Sequence, residues 1–424
     1  MNGRRAIVIG GSLGGLFTAN MLRKIGWEVD VFESVGRELA SRGAGIATHR
    51  ELIAVTQRLG VVIDESIGIR VRTKVSLDRY GRIEHSVPAD RIMSSWARFF
   101  RPLRAMIPEA NYHFGVAATG VEQDADGVTA VFSDGSRLKA DLLIAADGIR
   151  STVRSQMMPS IQPRYAGYVA WRGQVDEREI PPDLHREIFH DQVFCVPEGE
   201  MMIAHPMPGN DDDVRPAHRR YNFVWYHPVD EIQGLPDLCT DETGRCHGSS
   251  IPHPLIRPDV LADIRAVAHE RLAPQIALAF DLSPRLFFQA IFDLESPSLV
   301  EGRIALVGDA AFVARPHVGM GVAKAALDAQ CLADELAADD DLDAALHRYE
   351  ASRRVFGARA VARGRWLGAH LEAQLKPRDQ RTEAELHQRA EDVLREVGKQ
   401  ISEVPELADA AIGPATRALI ESTH

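Results

Sequence analysis

The chain has 424 residues, 45% of them hydrophobic, enough to bury a sizeable core in roughly two or three domains. Its 49 lysines and arginines against 60 aspartates and glutamates leave a net charge of −11, which excludes a global attraction to nucleic acid or anionic lipid and points to small-molecule partners. Four cysteines without a C-x-x-C pair make no disulfide framework in a chain this long, and Cys239, Cys246 and His247 fit no zinc spacing, so no metal is expected.

The first element is the stretch "RAIVIGGSLGGLFTANMLRK", residues 5–24. A strand at Ala6 to Ile9 runs into a glycine-rich turn, and a helix follows with Leu13, Phe17 and Met21 four apart. Arg4 and Arg5 before apolar residues resemble the start of a secretion signal, but the glycines interrupt the run and no small-residue cleavage pattern follows. No apolar stretch elsewhere approaches ~18 residues, so a soluble, cytoplasmic protein is expected. Gly10 and Gly15 occupy the first and third positions of a G-x-G-x-x-G turn, and Ser12, flanked by Gly11 and Gly14, stands in the middle one. Such a turn lets backbone approach a pyrophosphate and aims a helix N-terminus at it. Gly26 ends the helix, a strand runs from Val29 to Phe32, and Glu33 stands about 20 residues beyond the glycines, where a carboxylate binds ribose hydroxyls. The combination predicts an adenine dinucleotide site.

Further along, "RGAGI" (42–46) brings Arg42 before a turn and His49 into the loop after it. The segment "DLLIAADGIRSTVR" (141–154) reads as a buried strand, Asp147-Gly148, and a helix start capped by Ser151. In "RRYNFVWYHP" strand alternation places Tyr221, Phe223 and Trp225 on one face and Asn222, Val224 and Tyr226 on the other, one of which lines a pocket. The stretch from 302 to 336 repeats the strand-turn-helix logic: Ile304 to Val307, Gly308-Asp309, a loop with Pro316, Gly319 and Gly321, then a long helix. Val322, Ala325, Ala326, Ala329 and Leu332 give that helix one small apolar face. Arg353, Arg354, Arg359, Arg363 and Arg365 read as a mostly solvated helical surface, and the charged helical sequence after Pro377 as packing or dimer contacts.

Three blocks, the turn ending in Glu33, "ADGIRSTVR" and "GDAAFVARPHVGMG", stand in one order at fitting separations. By them the chain resembles the FAD-dependent aromatic hydroxylases of the para-hydroxybenzoate hydroxylase fold, the class A flavoprotein monooxygenases, over about residues 1–370. "GGSLGG", "RGAGI", "YNFVWY" and "RPHVGMGVAKA" look most like the 2,6-dihydroxypyridine 3-hydroxylase branch, in which serine at the middle glycine position is usual. The resemblance implies an α/β fold: a Rossmann-like FAD-binding domain of three-layer ββα type over 1–72, 99–163 and 287–370, a substrate domain with a mixed or antiparallel sheet over 73–98 and 164–286, and a C-terminal helical segment over 371–424.

It implies as well that Gly10, Ser12, Leu13, Gly14, Gly15 and Glu33 hold the adenosine diphosphate of FAD and that Asp309 accepts a ribityl hydroxyl. Pro316, Gly319, Gly321 and Val322 aim a helix N-terminus at the pyrimidine edge of the isoalloxazine. Arg42 is either a phosphate or ribose contact or a surface arginine, and Asp147 either bridges Arg154 or loop amides or touches the cofactor. Where relatives carry an arginine that reaches the flavin, this chain has Trp96, so either Arg98 or Arg101 supplies that contact or it is absent.

The implied reaction is reduction of FAD by NADH or NADPH, then attack of a flavin C4a-hydroperoxide on an electron-rich aromatic or N-heteroaromatic ring, hydroxypyridine-like, with molecular oxygen as co-substrate. A proton acceptor beside the ring hydroxyl is then expected, with His49, His205, His317 and Tyr221 as candidates and His49 first among them. His49, His205, Tyr221, Trp225 and Gln289 are the expected substrate contacts, with Asp293 near them. No second glycine-rich turn offers a separate nicotinamide domain, which fits transient docking of NAD(P)H. A homodimer is compatible with this reading. The alternatives are an epoxidase or reductase of the same fold acting on a phenolic or natural-product substrate, or a flavin-binding protein without activity.

Overall fold

The computed structural model describes residues 4–36, 45–382, 385 and 389–413. A six-stranded sheet runs in the order Val300–Glu301, Ile304–Leu306, Leu142–Ala145, Arg5–Ile9, Glu28–Glu33, Tyr112–Phe114. Neighbours are parallel except for the hairpin that joins the first two. Its central strands are continuous apolar runs because layers cover both faces. Helices Leu13–Lys24 and Gly321–Ala338 pack together, close enough that a Cβ at Gly14 would sit 3.5 Å from that of Ala325. A three-stranded antiparallel sheet, Ala118–Asp124, Gly127–Phe132 and Arg137–Ala140, joins through Phe132, whose ring stacks on Phe32 at 4.1 Å. These are the three layers the sequence predicts.

The larger sheet has nine strands, ordered Phe312–Val313, Phe287–Glu295, Arg164–Asp176, Arg220–Pro228, Met201–Met207, Gln192–Cys195, Ile69–Leu77, Ile83–Ser95, Gly45–Thr48. Only Gln192–Cys195 against Ile69–Leu77 is parallel, so the sheet is mixed as expected. Four of its strands extend beyond the segments expected to build it: 45–48, the start of 69–77, 287–295 and 312–313 pair into it rather than into the parallel sheet. Pairing partners are chosen by long-range register, which chain continuity does not reveal.

Strand alternation turns this sheet into a partition between two cores. Trp171, Phe223 and Trp225 face helices Pro258–Arg271 and Pro274–Leu282, where Phe280 meets Phe223 at 4.4 Å and Trp225 at 5.5 Å between ring centres. Ala170, Met201, Ile203, Val224 and Tyr226, on the other face, join the core of the parallel-sheet domain.

The long helix Leu342–Leu367 starts at Asp341, whose carboxylate accepts the amides of Asp343 and Ala344. Arg353, expected on its solvated surface, is instead buried and pairs with Asp328 at 2.8 Å, because that helix face packs on Gly321–Ala338. Beyond Pro377 the chain packs back on itself. Lys74 Nζ donates to the carbonyls of Leu394 (3.0 Å) and Val397 (2.8 Å) at the end of helix Ala390–Glu396, Arg91 pairs with Glu403 at 3.0 Å, and the Gly398 amide donates to the His317 carbonyl at 3.0 Å. Among the described residues no helix is long and apolar enough to cross a membrane.

Phe280 is fully buried between the two helices and the sheet. Phe280→Ala should leave a cavity costing about 3–5 kcal/mol, read as a lowered denaturant midpoint.

Candidate cofactor and substrate site

Parallel register sets Ile9 beside Phe32 on one side and Ala145 on the other, and Ala145 beside Leu306. The residues that follow, Gly10, Glu33, Ala146-Asp147 and Val307 to Asp309, therefore emerge in one line at the carboxyl edge of the sheet, where open α/β sheets bind ligands. The glycines there have no substitute. Gly10 has φ +105° and an added Cβ would stand 2.2 Å from the Ala146 carbonyl oxygen; at Gly15 one would stand 1.8 Å from the Gly10 oxygen. Backbone is thus bare along the turn, which a pyrophosphate needs.

Glu33 is fixed by backbone: Oε2 accepts the Gly11 amide and Oε1 the Val35 amide, both at 2.9 Å. Tyr112, which the sequence did not single out, donates to the Gly11 carbonyl at 2.9 Å and steadies the turn. Ser12 is the N-cap residue of helix Leu13–Lys24 and is half-buried, and among the described residues its hydroxyl makes no capping bond. Asp147 bridges loop amides: Oδ2 accepts from Thr152 (2.9 Å) and Val153 (3.4 Å), while Arg154 ties its loop to the Ala310 carbonyl at 3.1 Å. Oδ1 of Asp147 is buried with no partner among the described residues, so burial pushes this carboxyl up. Asp309 is exposed, yet the protein around it desolvates its carboxyl and raises it above the usual range. Gly308, at φ +66°, is fixed by two charges on the long helix: Lys324 Nζ donates to its carbonyl at 2.7 Å and its amide donates to Asp328 at 3.1 Å. These residues suit a dinucleotide: bare backbone, a carboxylate at the strand end and a buried polar atom left unpaired. Gly14 lies half-buried beside the turn, Leu13 and Gly15 are buried beneath it, and Arg42 lies outside the described residues.

The loop leading into helix Gly321–Ala338 is pinned at its root. Arg315 is wholly buried and donates from Nε (3.0 Å) and Nη2 (2.9 Å) to Asp293, and from Nη2 to Glu372 at 2.6 Å; Arg365 reaches the other Asp293 oxygen at 2.8 Å. Burial would raise the Asp293 carboxyl, but Arg365 and Arg315 reverse this and hold it below the usual range. Asp293, expected near substrate, is thereby an anchor of the loop. Pro316, Gly319 and Val322 stay half-buried and Gly321 exposed, with Gly319 at φ +67°. His317 turns inward instead, its Nε2 2.8 Å from the Tyr168 hydroxyl and its ring 4.4 Å from that of Tyr226. Neither arginine near Trp96 is free: Arg98 donates to the Ser66 carbonyl and Arg101 pairs with Asp212 at 2.6 Å.

Of the three candidate histidines, His49 spends Nε2 as a donor to the Gly319 carbonyl at 3.0 Å, and its Nδ1 lies 4.0 Å from Glu51. Burial lowers its pKa to about 4, so it is a neutral clamp on the loop at physiological pH. His205 differs. Its Nδ1 donates to the Pro206 carbonyl at 3.0 Å, leaving Nε2 as an acceptor 3.3 Å from the Asn222 amide nitrogen. A Cβ at Gly45 would come within 2.8 Å of the His205 ring, so strand Gly45–Thr48 passes directly over this pair. Burial lowers the His205 pKa too.

Tyr221 and Trp225 are not brought to this face. Alternation turns them to the helices, where the Tyr221 hydroxyl donates to the Ile188 carbonyl at 3.4 Å and Trp225 Nε1 donates to Glu200 at 2.8 Å. Asn222, Val224 and Tyr226 take the face toward the parallel-sheet domain. Gln289 lies on the Tyr226 side, opposite Ala170, and is exposed.

A family model described as FAD binding domain-like matches residues 165–293, which hold five strands of the larger sheet. The chain is 33% identical over 347 residues to the 2,6-dihydroxypyridine 3-monooxygenase of Paenarthrobacter nicotinovorans, covering 82% of this chain and 86% of that protein. It is 31% identical over 365 residues to an FAD-dependent urate hydroxylase of Klebsiella pneumoniae, covering 82% and 85%. Its structure is similar to that of 2,6-dihydroxypyridine-3-hydroxylase from Arthrobacter nicotinovorans, with a TM-score of 0.82, 30% identity, and coverage of 91% of this chain and 98% of the other.

Since folding lowers the His49 pKa from 6.5 to about 4, the stability its neutral form confers is whole above pH 6.5 and is lost as pH falls to about 4. FAD release, followed by flavin fluorescence, should rise through that window, and His49→Gln should flatten the profile by keeping an uncharged donor.

Proposed function

The chain belongs to the FAD-dependent aromatic-ring hydroxylases, and from that premise we propose that it oxygenates a small, electron-rich N-heteroaromatic ring of the hydroxypyridine kind, with NADH or NADPH as reductant. The observation that carries this is the single line of Gly10, Glu33, Asp147 and Asp309 at one sheet edge, with the loop 315–321 between it and the sheet face that bears His205. The turn and Glu33 would hold the adenosine diphosphate, Asp309 a ribityl hydroxyl, and the start of helix Gly321–Ala338 the pyrimidine edge. FAD, when bound, supplies the reductive activation of oxygen.

The chain's own part is to bind, orient and manage a proton. The Nε2 of His205, fixed as an acceptor by the Nδ1–H bond to Pro206, would exchange its long contact with the Asn222 amide for the hydrogen of a ring hydroxyl and so raise electron density on the ring. Asn222, which faces the same nitrogen, would hold that hydroxyl in plane. His49 acts at one remove, by keeping the Gly319 carbonyl in place. NAD(P)H would dock transiently, since the sequence offers one glycine-rich dinucleotide turn.

Purified protein should hold FAD and oxidise NADH or NADPH faster when 2,6-dihydroxypyridine or a related hydroxypyridine is added, with a product heavier by one oxygen atom. A response to phenols alone would favour the phenolic alternative, and oxidation without an oxygenated product would overturn monooxygenation. His205→Gln should lower turnover roughly 10²-fold at unchanged FAD content.

A further inference from the structure

The register across the sheet face that looks toward the loop gives three rows of side chains. Ala170, Tyr226 and Met201 form the first, Arg172, Val224 and Ile203 the second, and Gln174, Asn222 and His205 the third. The first row touches the loop 315–321, through the Tyr226 ring against His317. The third lies beneath Gly45. Arg172 therefore stands between the loop and the His205–Asn222 pair.

This guanidinium is anomalous. The fully buried arginines elsewhere each have partners, Arg315 in Asp293 and Glu372, Arg353 in Asp328 and Arg154 in the carbonyls of Ala310 and Ile149, although Arg154 Nε and Arg353 Nη2 are left without one. Arg172 is half-buried, forms no hydrogen bond or ion pair among the described residues, and has its Nε shut off from solvent without a partner. An N–H removed from water in this way calls for a hydrogen-bond acceptor. Its row-mates Val224 and Ile203 are apolar and nearly buried, and its field acts on the groups beside it, lowering the pKa of both His205 and Tyr226. Burial dominates at Tyr226 and still leaves its phenol at about 12, so Tyr226 is no anion at physiological pH. Among the described residues no carboxylate answers Arg172, which leaves its guanidinium available to a ligand.

We propose that Arg172 binds an anionic oxygen of the substrate, so that the ring is held as its anion between the loop 315–321 and the His205–Asn222 pair. The inference rests on the functional reading above and adds a charge requirement to it. Arginine suits the task because its fork meets a carboxylate or a ring oxyanion in plane while staying charged at any working pH. The apolar row-mates would leave the rest of the ring without polar competitors, so that the anion sets the orientation.

The test uses the FAD-loaded full chain and ligand-induced change in the flavin absorption spectrum. Three probes separate the sources of charge: 2,6-dihydroxypyridine, which ionises on a ring oxygen; nicotinate, whose charge is a carboxylate; and the dimethyl ether of the dihydroxypyridine, which has no acidic oxygen. At least one anionic probe should bind more tightly than the ether, and Arg172→Met should weaken that probe tenfold or more, leave the ether unchanged and leave FAD content unchanged. Arg172→Lys should recover part of the loss. Which of the two anionic probes loses affinity identifies the oxygen. Equal affinity for anionic and neutral probes in the unaltered protein, or an anionic probe indifferent to Arg172→Met, overturns this proposal while FAD retention leaves the cofactor reading standing. A chain that binds no FAD overturns both.

Discussion

Parallel register in the small sheet is the constraint on which the rest depends. Strands that run side by side in the same direction must deliver their following loops to the same edge, so the turn after Ile9, the carboxylate after Phe32, Asp147 and Asp309 meet without any contact being needed between them. Each loop then needs only local chemistry: glycine where backbone must lie bare, an acid where hydroxyls are to be met.

The larger sheet solves a different problem. It has two faces and both are buried, one against its own helices and the other against the parallel-sheet domain. The second face is where the proposed substrate would sit, because there the apolar surface is interrupted by His205, Asn222 and Arg172. The loop 315–321 bridges the two sheets, and it is fixed from four directions: by Arg315 on Asp293, by His49 on Gly319, by Tyr168 on His317, and by Gly398 on the His317 carbonyl. The buried ion pair at its root is costly to break, since removing either partner leaves a charge without water.

What was legible in the sequence was what local conformation dictates. Gly10 and Gly15 announce a turn because no other residue fits, Glu33 follows by strand length, and the alternation of Tyr221 to Tyr226 into two sets was correct. Which set faces the parallel-sheet domain was not legible, because alternation is symmetric and only the packing of Pro274–Leu282 decides it. Arg353 was misread for a related reason: it looks like a surface residue until Asp328 arrives from elsewhere. His49 stood where a base was expected, but its acceptor lies in a loop far along the chain, and that carbonyl commits the ring to donating.

The contact between Gly398 and His317 has a bearing on biosynthesis. The loop that would face the flavin ring is completed by Gly398, which is made well after it, and Lys74, made early, waits for Leu394 and Val397 to satisfy it. A nascent chain can assemble the nucleotide-binding edge well before this, but it lacks the backing for the redox end. Secure retention of the prosthetic group would then wait until the segment around Gly398 has been made and has folded back.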